Sequence, residues 1–205
     1  PVAVASNSIT TITRSAGSLS ARAQVIGDYN GDGLDDLLLS DTASSDANAY
    51  LLIGRTTTGA LSFPNNANLV FQNAFDTEGS QFRSAFALGD LNADGYDDFA
   101  LSRYLETEGK PGMLVFFGSA DRLAASSRDV PTAEAALRIQ RFGSGQLSGD
   151  LRVIGQLQAT AGDFNADGEM DLAVAETGNL LLSASGSQIL GLQSHIQTHI
   201  FWSAA

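Results

Sequence analysis

The chain of 205 residues contains no cysteine, so neither a disulfide framework nor a thiolate metal site can form. Basic charge is almost as scarce. Lys110 is the single lysine, and the arginines are scattered among 23 acidic residues. With a formal charge of −12 the chain has no footprint for nucleic acid, and an anionic membrane surface would repel it. No apolar run approaches the roughly 18 residues of a spanning helix, which excludes helical membrane insertion as an expectation. Pro1-Val2-Ala3 starts like neither a native N-terminus nor a signal peptide, so a processed or excised piece is expected. Disorder is not expected, because hydrophobic residues make up 43% of the chain, ample for a core.

What the chain has in quantity is Asp, Asn and Gly in one repeated order. GDYNGDGLDDLLLS at 27–40 returns as GDLNADGYDDFALS at 89–102 and as GDFNADGEMDLAVA at 162–175. The shared unit is G-D-x-N-x-D-G-x-x-D followed by an apolar run. A hard divalent cation takes six to eight oxygens at roughly 2.3–2.6 Å, and a tight loop can supply them from alternate residues. In the first copy the side-chain candidates are Asp28, Asn30, Asp32 and Asp36, with Leu34 offering its carbonyl. The second copy uses Asp90, Asn92, Asp94, Tyr96 and Asp98, and the third Asp163, Asn165, Asp167, Glu169 and Asp171. The residue at loop position 7 changes from Leu to Tyr to Glu, as a carbonyl ligand allows. Gly33, Gly95 and Gly168 at position 6 permit a positive φ. Three Ca²⁺ sites are therefore expected, and their six positive charges would halve the formal −12. Calcium can also replace disulfides as a staple, so the lack of cysteine does not argue against secretion.

An EF-hand would need a bidentate Glu at position 12 between two helices. Here that position is Leu39, Leu101 and Val174, followed by β-prone segments. A dockerin-type loop fails for the same missing ligand.

The rest of the chain reads as short strands. ARAQVIG, LDDLLLS, AYLLIG (49–54) and NLVFQNAF (68–75) make one four-stranded unit, the last two separated by a Gly/Pro/Asn-rich hairpin. SAFALGD, DDFALSRY, MLVFFGS (113–119) and AALRIQRF (135–142) make a second, with 121–134 as an extended loop or single helical turn. LQATAGD, DLAVAE, NLLLSAS and HIQTHIFW make a third. SITTIT (8–13) is read as an extra strand completing a preceding or closing unit. The first aspartates stand 62 and 73 residues apart, near the period of large propeller blades.

These residues resemble the FG-GAP (VCBS) repeat of integrin-α-type propellers. The second copy is most similar, with QFRSAFALGDLNADGYDDFALS followed by GMLVFFGS at 112–119. The calcium loops match throughout. The namesake elements depart from the family: Phe82-Arg83 stands for Phe-Gly, and pairs ending at Asp41, Arg103 and Glu176 stand where Gly-Ala-Pro is usual. The resemblance implies an all-β fold of β-propeller blades, three four-stranded antiparallel repeats within a larger propeller. The expected parts are 1–20 as a strand of a neighbouring blade, then 21–76, 80–143 and 150–205 as blades one to three of a single segment. Three blades do not close a ring, so further blades in cis or from a second chain are expected.

No catalytic set is legible. His195 and His199 lack the third ligand a zinc site needs and read as polar residues of an edge strand. GSGQLSG (143–149) lacks the Lys of a phosphate loop, and no G-x-S-x-G elbow occurs. Phe116-Phe117, Phe82 and Phe86 read as packing between blades. The function implied is a calcium-stabilised extracellular or cell-surface binding module with an unidentified protein or glycan ligand. A propeller of a secreted polysaccharide- or lipid-degrading enzyme, or a spacer in a large surface protein, are the alternatives.

Overall fold

The computed structural model describes residues 11–14, 21–41, 48–72, 81–105, 110–125, 127–131, 134–140, 152–183 and 189–201. Within them the chain is all-β apart from one short helix. Alternation of the apolar residues decides how the sheets are assembled.

The first sheet contains β2 (Ala21–Gly27), β3 (Asp36–Asp41), β4 (Ala49–Leu52) and β6 (Leu69–Gln72), each antiparallel to its neighbour. The second contains β7 (Gln81–Gly89), β8 (Asp98–Leu105), β9 (Lys110–Phe116) and β11 (Leu137–Gln140), again antiparallel in chain order. These are propeller-blade sheets, and both faces of the second are buried. On β8 and β9, Phe99, Leu101, Leu114 and Phe116 turn toward the first sheet, meeting Leu38, Leu51, Leu69 and Phe71. The intervening Ala100, Met113 and Val115 turn the other way, onto Leu157, Leu172 and Val174 of the third sheet. Side chains two apart share a face, so one strand serves two cores. Phe82 and Phe116 are buried in the first of these cores, while Phe86 and Phe117 pack partly buried against the second.

The third sheet differs from expectation. DLAVAE and the described NLLLS of NLLLSAS form one continuous strand, β13 (Asp171–Ser183), between β12 (Arg152–Gly162) and β14 (Ile189–Phe201). Gly178-Asn179 reads as a turn in isolation. In the sheet Gly178 faces Gly155 on one side and His195 on the other, and partners on both flanks hold it extended. Three strands are thus described here rather than four. His195 and His199 lie on β14, an edge strand of this sheet.

Two further departures arise from long-range pairing. The hairpin before residue 68 contains β5 (Ala60–Phe63), which pairs in parallel with β1 (Thr11–Arg14). Ile12, Leu61 and Phe63 cover the outer face of the first sheet at Leu39, Tyr50, Leu52 and Val70. The described end of SITTIT, residues 11–13 within β1, therefore joins β5 in a separate two-stranded sheet. The 121–134 excursion contains helix α1 (Ala120–Ala124) and β10 (Asp129–Pro131), which adds to the first sheet in parallel beside β6. Arg128 Nη1 donates to the Ala67 carbonyl at 2.7 Å, and Val70 N to the Arg128 carbonyl at 2.8 Å. The second repeat is thereby stitched to the first. GSGQLSG, Trp202 and residues 1–10 lie outside the described residues.

Candidate metal centre

Each G-D-x-N-x-D-G-x-x-D segment connects the first two strands of its sheet: β2 to β3, β7 to β8, and β12 to β13. Their internal hydrogen bonds are the same three times. Asp28 Oδ1 accepts from Asp32 N at 3.0 Å and Asp28 Oδ2 from Gly33 N at 2.7 Å. Asp90 accepts in the same way from Asp94 N (2.9 Å) and Gly95 N (2.8 Å), and Asp163 from Asp167 N (3.1 Å) and Gly168 N (3.0 Å). Asn30, Asn92 and Asn165 each donate Nδ2 to Oδ2 of the next aspartate, at 2.8–2.9 Å. The amides of Leu34, Tyr96 and Glu169 donate to Oδ1 of Asp32, Asp94 and Asp167 at 2.9–3.0 Å. Asx-type turns of this kind are why Asp and Asn recur at these positions.

The backbone explains the remaining small residues. Gly33, Gly95 and Gly168 have φ of 86°, 91° and 93°. Position 4 is also left-handed, in Gly31 (74°), Ala93 (58°) and Ala166 (62°). The two alanines hold a conformation that costs about 1 kcal/mol outside glycine. Sequence reasoning missed this position, whose only trace was the run of small residues Gly, Ala, Ala.

The last aspartate of each loop has a second task. Asp36 Oδ2 accepts from Tyr29 N at 3.0 Å and Oδ1 from Gly54 N at 2.7 Å, tying the loop to the end of β4. Asp98 does the same with Leu91 N and Gly118 N, both at 2.8 Å. Asp171 accepts from Phe164 N at 3.0 Å. All three carboxylates are buried. Burial pushes Asp36 and Asp98 up to about 6, against the pull of those backbone amides.

The donor set suits a hard cation, being entirely oxygen. Each carboxylate oxygen that accepts one amide retains a lone pair for a metal. Among the described residues, however, three or more acidic or imidazole groups nowhere converge into a cation cage. The amide hydrogen bonds, rather than converged carboxylates, hold the loop shape.

Neighbouring loops touch. Asp97, unassigned by sequence reasoning, accepts from Asp28 N through Oδ2 at 2.8 Å, and its own N donates to the Asp28 carbonyl at 3.0 Å. Ser119 N donates to the Tyr29 carbonyl at 2.8 Å. Gly118 sits where a Cβ would meet the carbonyls of Asp97 at 2.6 Å and Tyr29 at 2.8 Å. Backbone cannot step aside as a side chain can. Gly118→Ala is therefore expected to destabilise the fold by about 2 kcal/mol in urea denaturation. A cost below about 0.5 kcal/mol would mean the two loops do not press together as described.

A cleft beside loop one carries ionisable groups. Tyr29, Phe116, Asp121, Arg122 and Glu134 line it. The Tyr29 phenol is pushed up to about 12, chiefly by burial, and is not a base near neutrality. Arg122 pairs with Glu134 at 3.1 Å and donates to the carbonyls of Ser127 and Asp129.

No family model matches the chain. It is similar to human integrin alpha-D, 34% identical over 98 residues, which is 48% of this chain and 8% of that protein. Human integrin alpha-11 is 29% identical over 162 residues, 76% of this chain and 12% of the relative. Mouse integrin alpha-X is 30% identical over 95 residues, 46% and 7% respectively. The chain thus spans no more than about an eighth of the length of these relatives. No helix among the described residues is long and apolar enough to cross a membrane.

Proposed function

We propose that this chain is a calcium-stabilised, non-catalytic binding module built of FG-GAP-type repeats and working outside the cell. The observation that carries the reading is the threefold recurrence of one hydrogen-bonded loop with one set of oxygen donors. Partial similarity to integrin alpha chains supports it.

Loop one would hold Ca²⁺ through Asp28, Asn30, Asp32 and Asp36 and the carbonyl of Leu34. Loop two would use Asp90, Asn92, Asp94, Asp98 and the carbonyl of Tyr96. Loop three would use Asp163, Asn165, Asp167, Asp171 and the carbonyl of Glu169. Bound calcium would supply positive charge to a crowded acidic turn, countering repulsion that the amide donors only partly offset. Its role is structural, holding the first two strands of each blade in shape. The partner, a protein or glycan, would meet loops on the face away from these turns, or the rim, with further blades supplied in cis or by a second chain.

The test joins a calcium titration with a ligand screen. Calorimetry is expected to give three Ca²⁺ per chain. A glycan array and a pulldown from extracellular fluid are expected to give hits with calcium that vanish in chelator. Three empty sites at millimolar calcium would sink the proposal. Calcium binding without any ligand would leave the spacer reading in its place.

A further inference from the structure

The junction between loops one and two has a feature that coordination alone does not require. Asp97 is no candidate ligand, yet it lies between two of them, Tyr96 and Asp98. Its carboxylate and its N–H clasp both ends of Asp28, the first ligand residue of loop one. Gly27, at φ 87°, leaves the space this needs, since a Cβ there would stand 2.1 Å from Asp97 Oδ2. The Tyr96 ring lies against Gly31 in the same way, 2.8 Å from where a Cβ would be. Tyr96 and Asp97 of loop two, with Ser119 at the start of α1, thus touch the backbone of loop one.

Among the described residues the other two loops lack this clasp. In loop three the matching residue is Met170, whose Cε lies 3.8 Å from a Cβ placed on Gly89. A thioether methyl offers no carboxylate to the Asp90 amide. In loop one the matching residue is Asp35, which is exposed.

Resting on the calcium reading above, we propose that Asp97 is a positioning residue that couples calcium binding in loops one and two, while loop three binds independently. Filling either of the joined loops orders the backbone it shares with the other, so the second cation meets a loop already in place.

The test is a calcium chloride titration followed by the ¹⁵N–¹H signals of Gly33, Gly95 and Gly168, whose amides donate to the first aspartate of each loop. Disabling loop one with Asp32→Ala is expected to weaken binding at Gly95 about five- to tenfold. Gly168 should not respond. In an Asp97→Ala background, Asp32→Ala should cause no further loss at Gly95, as a double-mutant cycle requires. Asp97→Asn keeps an acceptor oxygen and should restore the coupling, and Asp35→Ala should leave it intact. If Asp97→Ala does not fold, Asp32→Ala alone and Asp97→Asn still decide the matter. Binding at Gly95 that ignores Asp32→Ala, or a response at Gly168 as large as at Gly95, overturns the proposal while leaving the calcium reading standing. Failure of all three signals to saturate overturns both.

Discussion

Removing calcium is expected to lower the melting temperature by more than about 20 °C, or to leave no cooperative transition. With micromolar dissociation constants and millimolar calcium, each site would contribute on the order of 4 kcal/mol. Three such sites approach about 12 kcal/mol, against a total stability for natural domains of about 5–15 kcal/mol. Basic side chains that could take the place of the cation are scarce, Lys110 being the single lysine. Asp32→Ala, Asp94→Ala and Asp167→Ala should each reproduce part of the loss in calcium and add almost nothing in chelator. A melt indifferent to chelator would end the calcium reading.

The effect should also narrow in acid. Asp36 and Asp98 are raised to about 6 by burial from an ordinary 3.8. Raised carboxylates penalise the ionised, metal-free fold. That penalty is absent below the unfolded value near 3.8, grows as pH rises to about 6, and is full above it. Acidifying from about pH 7.5 to about 5 should therefore stabilise the metal-free chain while protons displace calcium from the loaded one.

Phe99→Ala is expected to cost about 3–5 kcal/mol in urea denaturation. Its ring is fully buried between the first two sheets, 5.0 Å from Phe71, 5.5 Å from Phe116 and 5.8 Å from Tyr29 between centroids. Removing it opens a cavity lined by aromatic groups from both sheets, which rigid strands cannot close. Val25→Ala provides the contrast. Val25 is 50% exposed, and its truncation should stay within about 0.5 kcal/mol. A Phe99 loss no larger than that of Val25 would mean the sheets do not share a core.

The strand order of the first two sheets was legible because alternation and turn residues are local signals. ARAQVIG, AYLL and MLVF announce themselves within a few residues. Gly178-Asn179 shows where that fails: the pair carries a turn signal, and only two flanking strands keep it extended. β5 was hidden for a related reason. Its partner, β1, lies 49 residues away in register, and β10 likewise joins a strand from the preceding repeat.

The loops divide in the same manner. Spacing alone picked out the residues whose side chains hydrogen-bond within each turn, since Asp and Asn at these positions cap nearby amides. It said nothing of the amides that occupy Asp36 and Asp98, because Gly54 and Gly118 reach them from another strand. Nor could it single out Asp97 from Asp35, two aspartates at one position of one motif. The sequence by itself determined the β class, the repeat and the recurring turn of each unit, all products of short-range geometry. The tertiary structure alone decided which sheets share a core, which strands cross between repeats and which loops are clasped together, because each depends on backbone groups far apart in the chain meeting only once it has folded.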